Sequence, residues 1–139
     1  MSEILNDYTI IEKVPVRWGD MDARGHVNNA IYYRYFEISR IALYQYLDIY
    51  ERPTEVRVGP ILSFQSCHYK APLTFPDTVY VGAKIISIKR SKIIMKHALV
   101  SKKLNKKAAE GESHMIWYDY ESQKKAIISD NLKKKLLKS

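Results

Sequence analysis

The sequence predicts an α+β fold with one long helix and about five antiparallel strands. The first observation is a stripe of large, mostly aromatic side chains at helical spacing between residues 29 and 50. The second is the change after residue 60, where β-branched and polar residues alternate in four successive segments. Polar turn sequences separate these segments, which favours antiparallel pairing. Periodicity by itself supports the α+β class and no finer assignment.

The individual elements follow from residue types at regular spacing. A first strand is expected at residues 8–18 and the long helix at residues 29–50, with Pro53 in the polar segment that ends it. The buried helix face is expected to comprise Tyr32, Phe36, Ser39, Leu43, Tyr46 and Tyr50, widened by Tyr35, Ala42 and Leu47. Four further strands are expected at residues 61–71, 78–89, 93–103 and 108–120, with turns at residues 75–77, 89–92 and 102–107.

Length and composition indicate one domain, residues 1–139, with a lysine-rich tail from about residue 130. The 139 residues, 46% of them hydrophobic, suffice for one core but not for two. Cys67 is the single cysteine, which excludes an intramolecular disulfide and a Cys-x-x-Cys redox or zinc site. The first residues do not resemble a secretory signal, and no apolar stretch approaches the roughly 20 residues that span a bilayer. A soluble, cytoplasmic protein without membrane insertion is therefore expected.

The segment DMDARGHVNN, from Asp20 to Asn29, combines two carboxylates with a turn and a helix start. Asp20 and Asp22 are two residues apart, so in extended backbone they point to the same side. Gly25 permits a tight turn, and Asn28 is a favoured helix N-cap residue. A carboxylate would then lie beside the unpaired N–H groups of the helix start. This arrangement suits acyl transfer, in which a carboxylate acts as base or nucleophile and backbone amides stabilise the oxyanion.

The pattern DMDARGHVNNAIYYRYFEISR resembles the signature of the hot-dog-fold acyl-CoA thioesterases of the 4-hydroxybenzoyl-CoA thioesterase type. The resemblance covers nearly the whole chain, in the order VRW, DxD, GHVNN, YxxYFE, HYKAPLTFPD, IKRS and EGESHMIWYD. It implies a single hot-dog domain, in which a curved antiparallel sheet wraps around the central helix, and an enzyme that hydrolyses an acyl thioester without a metal or cofactor. It also implies a homodimer or a tetramer of dimers, in which the sheets become continuous and the sites form between chains.

The resemblance is less specific about the substrate than about the reaction. Similar HVNN loops occur in plant acyl-ACP thioesterases, so the motif specifies an acyl thioester better than it specifies the carrier. Aroyl-specific members usually carry bulkier apolar residues where this chain has residues 26–29, which weakens the case for an aromatic acyl group.

The two acids of the DxD element are expected to have different roles. Asp22 matches the family position of the nucleophile or general base, and it lies closer to the positive helix end, which favours the ionised carboxylate. Asp20 is expected to hydrogen-bond backbone groups or to pair with Arg17 or Arg24. Direct attack of Asp22, which gives an anhydride, and activation of water by Asp22 are both open.

The residues after Gly25 are expected to organise the loop and polarise the thioester. His26 is either a base for the nucleophile or a loop-organising hydrogen-bond donor, and the second role is favoured. The main-chain N–H of Asn29 is the expected oxyanion donor, by analogy with the helix-start amide of the family.

The net charge of +8 requires an anionic partner or at least a basic face. Lysines cluster at residues 89–96, 102–107 and 133–135. The segment 102–107 contains no aromatic residue for base stacking, so a solvated hairpin is expected there and nucleic acid is not the expected partner. The resemblance implies the phosphates of coenzyme A instead. The turn with Lys89, Arg90 and Ser91 is the best candidate to hold them, and a polar hairpin without a ligand is the alternative.

Glu37 and Arg40 lie three residues apart on the helix and are expected to face away from the buried stripe as an exposed ion pair. The resemblance adds an alternative for Glu37, because an acid on this helix can face the site of the partner subunit in the family.

A metal site is not expected from the pattern of histidines. Cys67 and His68 are neighbours in a predicted strand and point to opposite faces of the sheet. His97 and His114 lie on separate predicted strands without ligand-like neighbours in sequence.

The predicted function is hydrolysis of a fatty or related acyl-CoA to a free acid and coenzyme A. Three alternatives stay open because a fold does not fix a function: an acyl-ACP thioesterase, a non-catalytic acyl-CoA- or acyl-carrier-binding protein of the same fold, and a basic interaction module.

Overall fold

A computed structural model describes residues 3–49 and 57–137, and it confirms the α+β prediction. The strands are β1 (Ile10–Pro15), β2 (Val58–Tyr69), β3 (Thr78–Lys89), β4 (Lys92–Ser101), β5 (Lys106–Asp119) and the two-residue β6 (Lys124–Lys125). The helices are α1 (Asn29–Tyr46) and α2 (Asp130–Leu136), and a 3-10 turn covers Trp18–Asp20. All strand pairs are antiparallel, in the order β1-β3-β4-β5-β2, with β6 beside β5. No helix in the described ranges is long and apolar enough to cross a bilayer.

Helix α1 packs on one face of this curved sheet, mainly against β1, β3 and β4. Its buried side chains are Tyr32, Tyr35, Phe36, Ser39, Arg40, Leu43 and Tyr44. They meet inward-facing residues of the strands, such as Val81 and Leu99, which have no exposed surface. Because α1 lies over β1, β3 and β4, the face of β5 and β2 is less covered. A groove runs between α1 and β2.

The sheet has two ends with different neighbours. At the end of the sheet nearest the first residues of α1, the helix-start end, the hydroxyl of Tyr69 of β2 donates a hydrogen bond to the carbonyl of Asn29, 3.0 Å away. At the opposite end, nearest the last residues of α1 and called the helix-stop end, the Ile128 amide donates to the carbonyl of Arg90 in the β3–β4 turn, at 2.8 Å. Lys135 of α2 donates to the carbonyl of Asp48 just after α1, at 2.7 Å. The helix-stop end is therefore closed by the C-terminal segment.

The helix ends at Tyr46, four residues before the predicted end, and Tyr50 lies outside the described residues. The reason is local. Asp48 adopts φ +55°, its amide donates to the Gln45 carbonyl, and the Ile49 amide donates to the Tyr44 carbonyl at 3.0 Å. These two bonds form a Schellman motif, which ends a helix whatever follows. The prediction from Pro53 overlooked Asp48, a residue type that tolerates this conformation.

Three residues of α1 were predicted on the wrong face. Tyr46 is 61% exposed, whereas Tyr44 is buried. Arg40 is 6% exposed and faces the sheet, so the prediction that it points away from the stripe is wrong. Glu37 does pair with it, at 3.9 Å, and also contacts Arg34.

The strand predictions hold with shifted ends. Residues 78–89 were predicted without error as β3, and Asn105 lies at the tip of the β4–β5 turn with φ +54°. β1 is shorter than the predicted 8–18, because residues 18–20 form the 3-10 turn. β2 begins three residues before the predicted 61, and β4 and β5 are displaced by one or two residues at their ends. The lysine-rich segment from about residue 130, predicted as a tail, forms α2 and buries Leu136.

Candidate active site

A tight hairpin before α1 holds the two central residues of the predicted site, Asp22 and His26. The amide of Asp22 donates to the carbonyl of His26 at 2.8 Å, and the amide of Gly25 donates to the carbonyl of Asp22 at 3.0 Å. Gly25 has φ +81°, which is the left-handed conformation that glycine accepts without strain. The Oδ1 of Asp22 accepts from the amide of Arg24 at 2.9 Å, and both Asp22 and His26 are exposed.

Further backbone hydrogen bonds fix the position of this hairpin at the start of α1. Asn28 donates its amide to the carbonyl of Asp20 at 2.9 Å, and Met21 forms an isolated antiparallel bridge with Val27. The Val27 amide donates in turn to the carbonyl of Leu73, at 2.8 Å, and Val27 is buried. The loop is therefore fixed both to itself and to the segment before β3.

The helix start offers backbone donors beside this loop. Asn28 is the N-cap, as predicted, because its side chain accepts from the Ala30 amide at 2.9 Å. For the amide of Asn29, no acceptor is found among the described residues. An unpaired amide in the first turn, together with the helix dipole, makes a site for negative charge.

Asp20 has a structural role, in line with the expectation that it bonds backbone groups. Its Oδ2 accepts from the amide of Arg17 at 3.0 Å and from the hydroxyl of Tyr35 at 2.8 Å. Burial and the bond to Asp20 raise the pKa of Tyr35 above its ordinary value. Asp20 thus joins the 3-10 turn to the buried face of α1, and its neighbour in the motif, Asp22, keeps an exposed carboxylate.

The predicted phosphate-binding residues lie far from this loop in the same chain. Lys89 ends β3, and Arg90 and Ser91 form the turn into β4 at the helix-stop end. β3 has 12 residues, so at about 3.3 Å per residue its two ends are separated by up to roughly 40 Å. Arg90 adopts φ +53°, and its carbonyl holds the C-terminal segment. The structure brings Asp22, His26 and Asn29 together, and it does not bring residues 89–91 to them within one chain.

A buried polar network beneath α1 was missed by the sequence analysis. His97 has no exposed surface, and its ring lies between the hydroxyls of Ser39, 3.1 Å from Nδ1, and Ser113, 2.8 Å from Nε2. Ser39 donates its hydroxyl proton to the carbonyl of Phe36, so its oxygen can accept from Nδ1–H. Ser113 accepts from Arg40, so its hydroxyl proton can be donated to Nε2. These roles match a neutral imidazole that is protonated at Nδ1. Burial and then the charge of Arg40 lower the pKa of His97 to about 3.

A sequence signal for this network existed. His97 stands between Met95 and Leu99, at the inward-facing positions of β4, and Ser39 lies within the apolar stripe of α1. A polar residue at such a position requires a hydrogen-bond partner, because an unpaired buried polar group is costly.

The groove between α1 and β2 consists of two adjoining cavities. The smaller one, of about 210 Å³, begins at Ala30 beside the helix start. The larger one, of about 760 Å³, continues towards α2 and is lined mainly by apolar side chains. Glu37, Arg40 and Leu62 border both cavities. The groove therefore leads from the helix start along the length of α1.

Other nucleophile and metal chemistry finds little support in the described residues. Burial raises the pKa of Cys67 to about 11, so this thiol is not poised as a thiolate at neutral pH. Within residues 3–49 and 57–137, no group of three or more His, Cys, Asp or Glu side chains could hold a metal ion.

Comparison with known proteins identifies the family to which the chain belongs. A family model described as the thioesterase-like superfamily matches residues 16–136. No curated protein matches the sequence significantly.

Solved structures of hot-dog thioesterases superpose over most of the chain. The PA2801 protein from Pseudomonas aeruginosa, a candidate thioesterase, has a TM-score of 0.81 at 28% identity, covering 92% of this chain and 98% of the other. A thioesterase from Thermus thermophilus, complexed with coenzyme A and zinc, has a TM-score of 0.79 at 26% identity, covering 93% and 92%. A DHNA-CoA thioesterase from Staphylococcus aureus has a TM-score of 0.83 at 17% identity, covering 92% and 88%, which shows the fold alone.

Proposed function

The chain belongs to the thioesterase-like superfamily and is a thioester hydrolase, and from that premise we propose that it hydrolyses acyl-CoA to a free acid and coenzyme A. The observation that carries the proposal is the exposed carboxylate of Asp22 in a rigid hairpin whose last residues begin α1. Coenzyme A is supported as the carrier by the similar Thermus thermophilus thioesterase, which binds it.

In the proposed mechanism, the thioester oxygen binds at the amide of Asn29, where the helix start stabilises the oxyanion. Asp22 then acts by one of two routes. Its carboxylate attacks the acyl carbon and expels the thiolate, leaving an anhydride that water hydrolyses, or it takes a proton from the water that attacks instead. His26 acts in the loop, because its carbonyl accepts the Asp22 amide and thereby fixes the position of the carboxylate.

A homodimer would complete this site. β2 lies at the edge of the sheet, and Ile61, Leu62, Phe64 and Tyr69 on it are between 38% and 50% exposed. An unpaired edge with exposed apolar side chains favours pairing with a second copy. Pairing of β2 with β2 about a two-fold axis makes one continuous sheet, as in the family the sequence resembles.

Such pairing also relates the two separated parts of the predicted site. In an antiparallel β2–β2 pair, the helix-start end of one subunit lies beside the helix-stop end of its partner. Residues 89–91 of one subunit are thereby directed to the end of the dimer that carries Asp22 of the other. We propose that Lys89, Arg90 and Ser91 bind coenzyme A phosphates across the dimer, where the Arg90 guanidinium offers paired donors.

Thiol release from a panel of acyl-CoA thioesters of increasing chain length tests the activity, with acyl-ACP thioesters as a second arm for the carrier. Hydrolysis of at least one acyl-CoA is expected. Tight, salt-dependent binding of oligonucleotides together with no thiol release from any acyl thioester would contradict the proposal and favour a basic interaction module.

The role of the basic turn is tested by Arg90→Ala, alone and with Lys89→Ala. Remote phosphate contacts bind ground state and transition state alike, so KM for acyl-CoA should rise several-fold while kcat stays nearly constant. A truncated thioester without the phosphoadenosine group is the matched control, because its KM should be the same in variant and wild type. An unchanged KM for acyl-CoA would place the phosphate site elsewhere.

A further inference from the structure

The larger cavity of the groove is apolar along most of its walls, and three polar residues of α1 also line it: Glu37, Arg40 and Tyr44. Arg40 and Tyr44 have polar atoms without a full set of partners among the described residues. Ile41, Ile61, Leu62 and Trp117 are among its lining residues. A cavity of about 760 Å³ falls in the size range of small-molecule sites, which are mostly apolar with a few placed polar groups.

The first polar group is the guanidinium of Arg40, which is buried and borders both cavities. In the described part of the chain, its five N–H groups have one hydrogen-bond acceptor, Ser113 Oγ at 3.1 Å. The carboxylate of Glu37 is 3.9 Å away, too far for a hydrogen bond, and it is engaged by Arg34. Arg40 therefore keeps donors for which residues 3–49 and 57–137 provide no acceptor.

The second polar group is the hydroxyl of Tyr44, one turn further along α1. Tyr44 is 4% exposed, and its oxygen is the one fully buried side-chain polar atom within residues 3–49 and 57–137 that lacks a hydrogen-bond partner. Burial raises the pKa of Tyr44 and the charge of Arg40 lowers it, so the two groups are near enough to interact. A buried hydroxyl without a partner is destabilising, and a ligand oxygen that accepted its hydrogen bond would remove that penalty.

The charges around this pair favour an anion. Arg34 and Arg40 face one carboxylate, Glu37, and the network beneath them holds His97 neutral. At the far end of the cavity, Lys135 lies 4.0 Å from the carboxylate of Asp48. Among the described residues, the positive charge of Arg40 is thus only partly compensated. A buried charge of this kind is stabilised by an opposite charge that also accepts its hydrogen bonds.

We propose that the groove is a binding site for an aliphatic carboxylate, whose chain lies along Ile41, Ile61 and Leu62 and whose carboxylate binds Arg40 and Tyr44. Two sources have this chemistry. One is the second carboxylate of a dicarboxylic acyl group, which would enter from the helix start, and Arg40 lies roughly 15 Å along the helix from Ala30. The other is a free fatty acid, such as the acid released by the reaction. The roles of these two molecules as substrate and product rest on the proposed function, whereas the binding site itself does not.

Equilibrium binding tests the site without any hydrolysis. Trp117 lines the cavity, and the other tryptophan, Trp18, is 73% exposed, so emission of the Trp18→Phe protein reports on the groove. Decanoate is expected to bind at least tenfold more tightly than decanol. In the same background, Tyr44→Phe should weaken decanoate binding about tenfold and leave decanol binding unchanged, because only the hydroxyl is removed. Tyr46→Phe, a change on the exposed face of α1, is the matched control and should alter neither affinity.

A second variant removes the charge. Arg40→Met should abolish the preference for decanoate over decanol, provided that circular dichroism shows a folded protein, and Tyr44→Phe carries the test if it does not fold. Equal affinities for decanoate and decanol, or equal loss of both in Tyr44→Phe, would overturn the proposal.

Hydrolysis then separates the two sources. If the carboxylate belongs to a dicarboxylic acyl group, the CoA thioester of decanedioic acid should exceed decanoyl-CoA at least tenfold in kcat/KM, and Tyr44→Phe should remove this advantage. If it belongs to the free acid, decanoate should inhibit hydrolysis competitively in wild type and about tenfold more weakly in Tyr44→Phe. Absence of any hydrolysis would refute the proposed function, but the decanoate titration would still test the binding site by itself.

Discussion

Two aspartates two residues apart have different surroundings in the loop before α1. Asp20 accepts two hydrogen bonds on one oxygen and joins the 3-10 turn to Tyr35 on the helix. Asp22 accepts one bond from a neighbouring amide and is exposed. The first arrangement stabilises the fold, whereas the second leaves a carboxylate free to meet a substrate.

Asp20→Asn should lower the free energy of unfolding by about 1–3 kcal/mol, because hydrogen bonds to a charged acceptor are stronger than bonds to an amide oxygen. Urea denaturation measures the change, and Tyr35→Phe should produce a loss of similar sign. Asp22→Asn is the matched control and should unfold like wild type. An Asp20→Asn protein as stable as wild type would refute the anchoring role.

Stability at acid pH should depend on His97. Its pKa is lowered from 6.5 to about 3 in the fold, so between these values the unfolded chain takes up a proton that the folded imidazole refuses. The unfolding free energy should therefore fall with decreasing pH, by about 1.4 kcal/mol per pH unit from this group. The contribution disappears in His97→Gln, measured as the difference in slope between pH 6 and pH 4.5. An unchanged slope in His97→Gln would contradict this assignment.

The C-terminal helix shows how an element that looks like a tail becomes part of the core. Ser129 caps α2 by accepting the Leu132 amide, and Leu136 is fully buried beside Leu43 of α1. Lys133 and Lys134 are exposed, whereas Lys135 donates to the carbonyl of Asp48. The run of lysines masked two apolar residues, Leu132 and Leu136, that pack on the inner side of this short helix.

Leu136→Ala should destabilise the protein by about 2–5 kcal/mol, the range for truncation of a buried leucine. Leu137→Ala, at the next position and 59% exposed, is the matched control and should change stability by less than about 0.5 kcal/mol. Thermal or urea unfolding measures both. Equal effects of the two changes would mean that α2 does not pack as described.

Elements with strong periodicity could be predicted from sequence, and their ends could not. Residues 78–89 alternate regularly between two turns, so β3 was predicted with both ends correct. The end of α1 depends on the conformation of Asp48, which is set by hydrogen bonds to Gln45 and Tyr44 and leaves little trace in composition. Burial of Arg40 depends on Ser113, 73 residues away in sequence, and no local pattern contains that contact.

The candidate site shows the same division. Asp22, His26 and Asn29 lie in one continuous motif, so the sequence was sufficient to group them. Lys89, Arg90 and Ser91 were added by charge and resemblance, and within one chain they lie at the other end of the sheet. Their relation to the loop depends on how two copies pair, which the sequence of one chain does not contain.

The proposed active site requires two copies of the protein joined along β2. Phe64 is 50% exposed on this edge, and a lysine there should block pairing through repulsion and loss of apolar contact. Phe64→Lys should sediment as a monomer and lose hydrolysis, while Ile11→Lys, at an exposed position on β1 at the opposite edge, should keep the wild-type mass and activity. A dimer of wild-type mass in Phe64→Lys would exclude this interface.

The most direct test of the central claim compares thiol release from acyl-CoA by wild type, Asp22→Asn and Asp20→Asn. Asp22→Asn should fold normally and lose at least about a hundredfold in kcat, a typical effect of removing a general acid or base. Asp20→Asn should lose stability first and activity only as far as the loop is disturbed. Equal kcat in Asp22→Asn and wild type would contradict the account, because it would remove this carboxylate from the reaction.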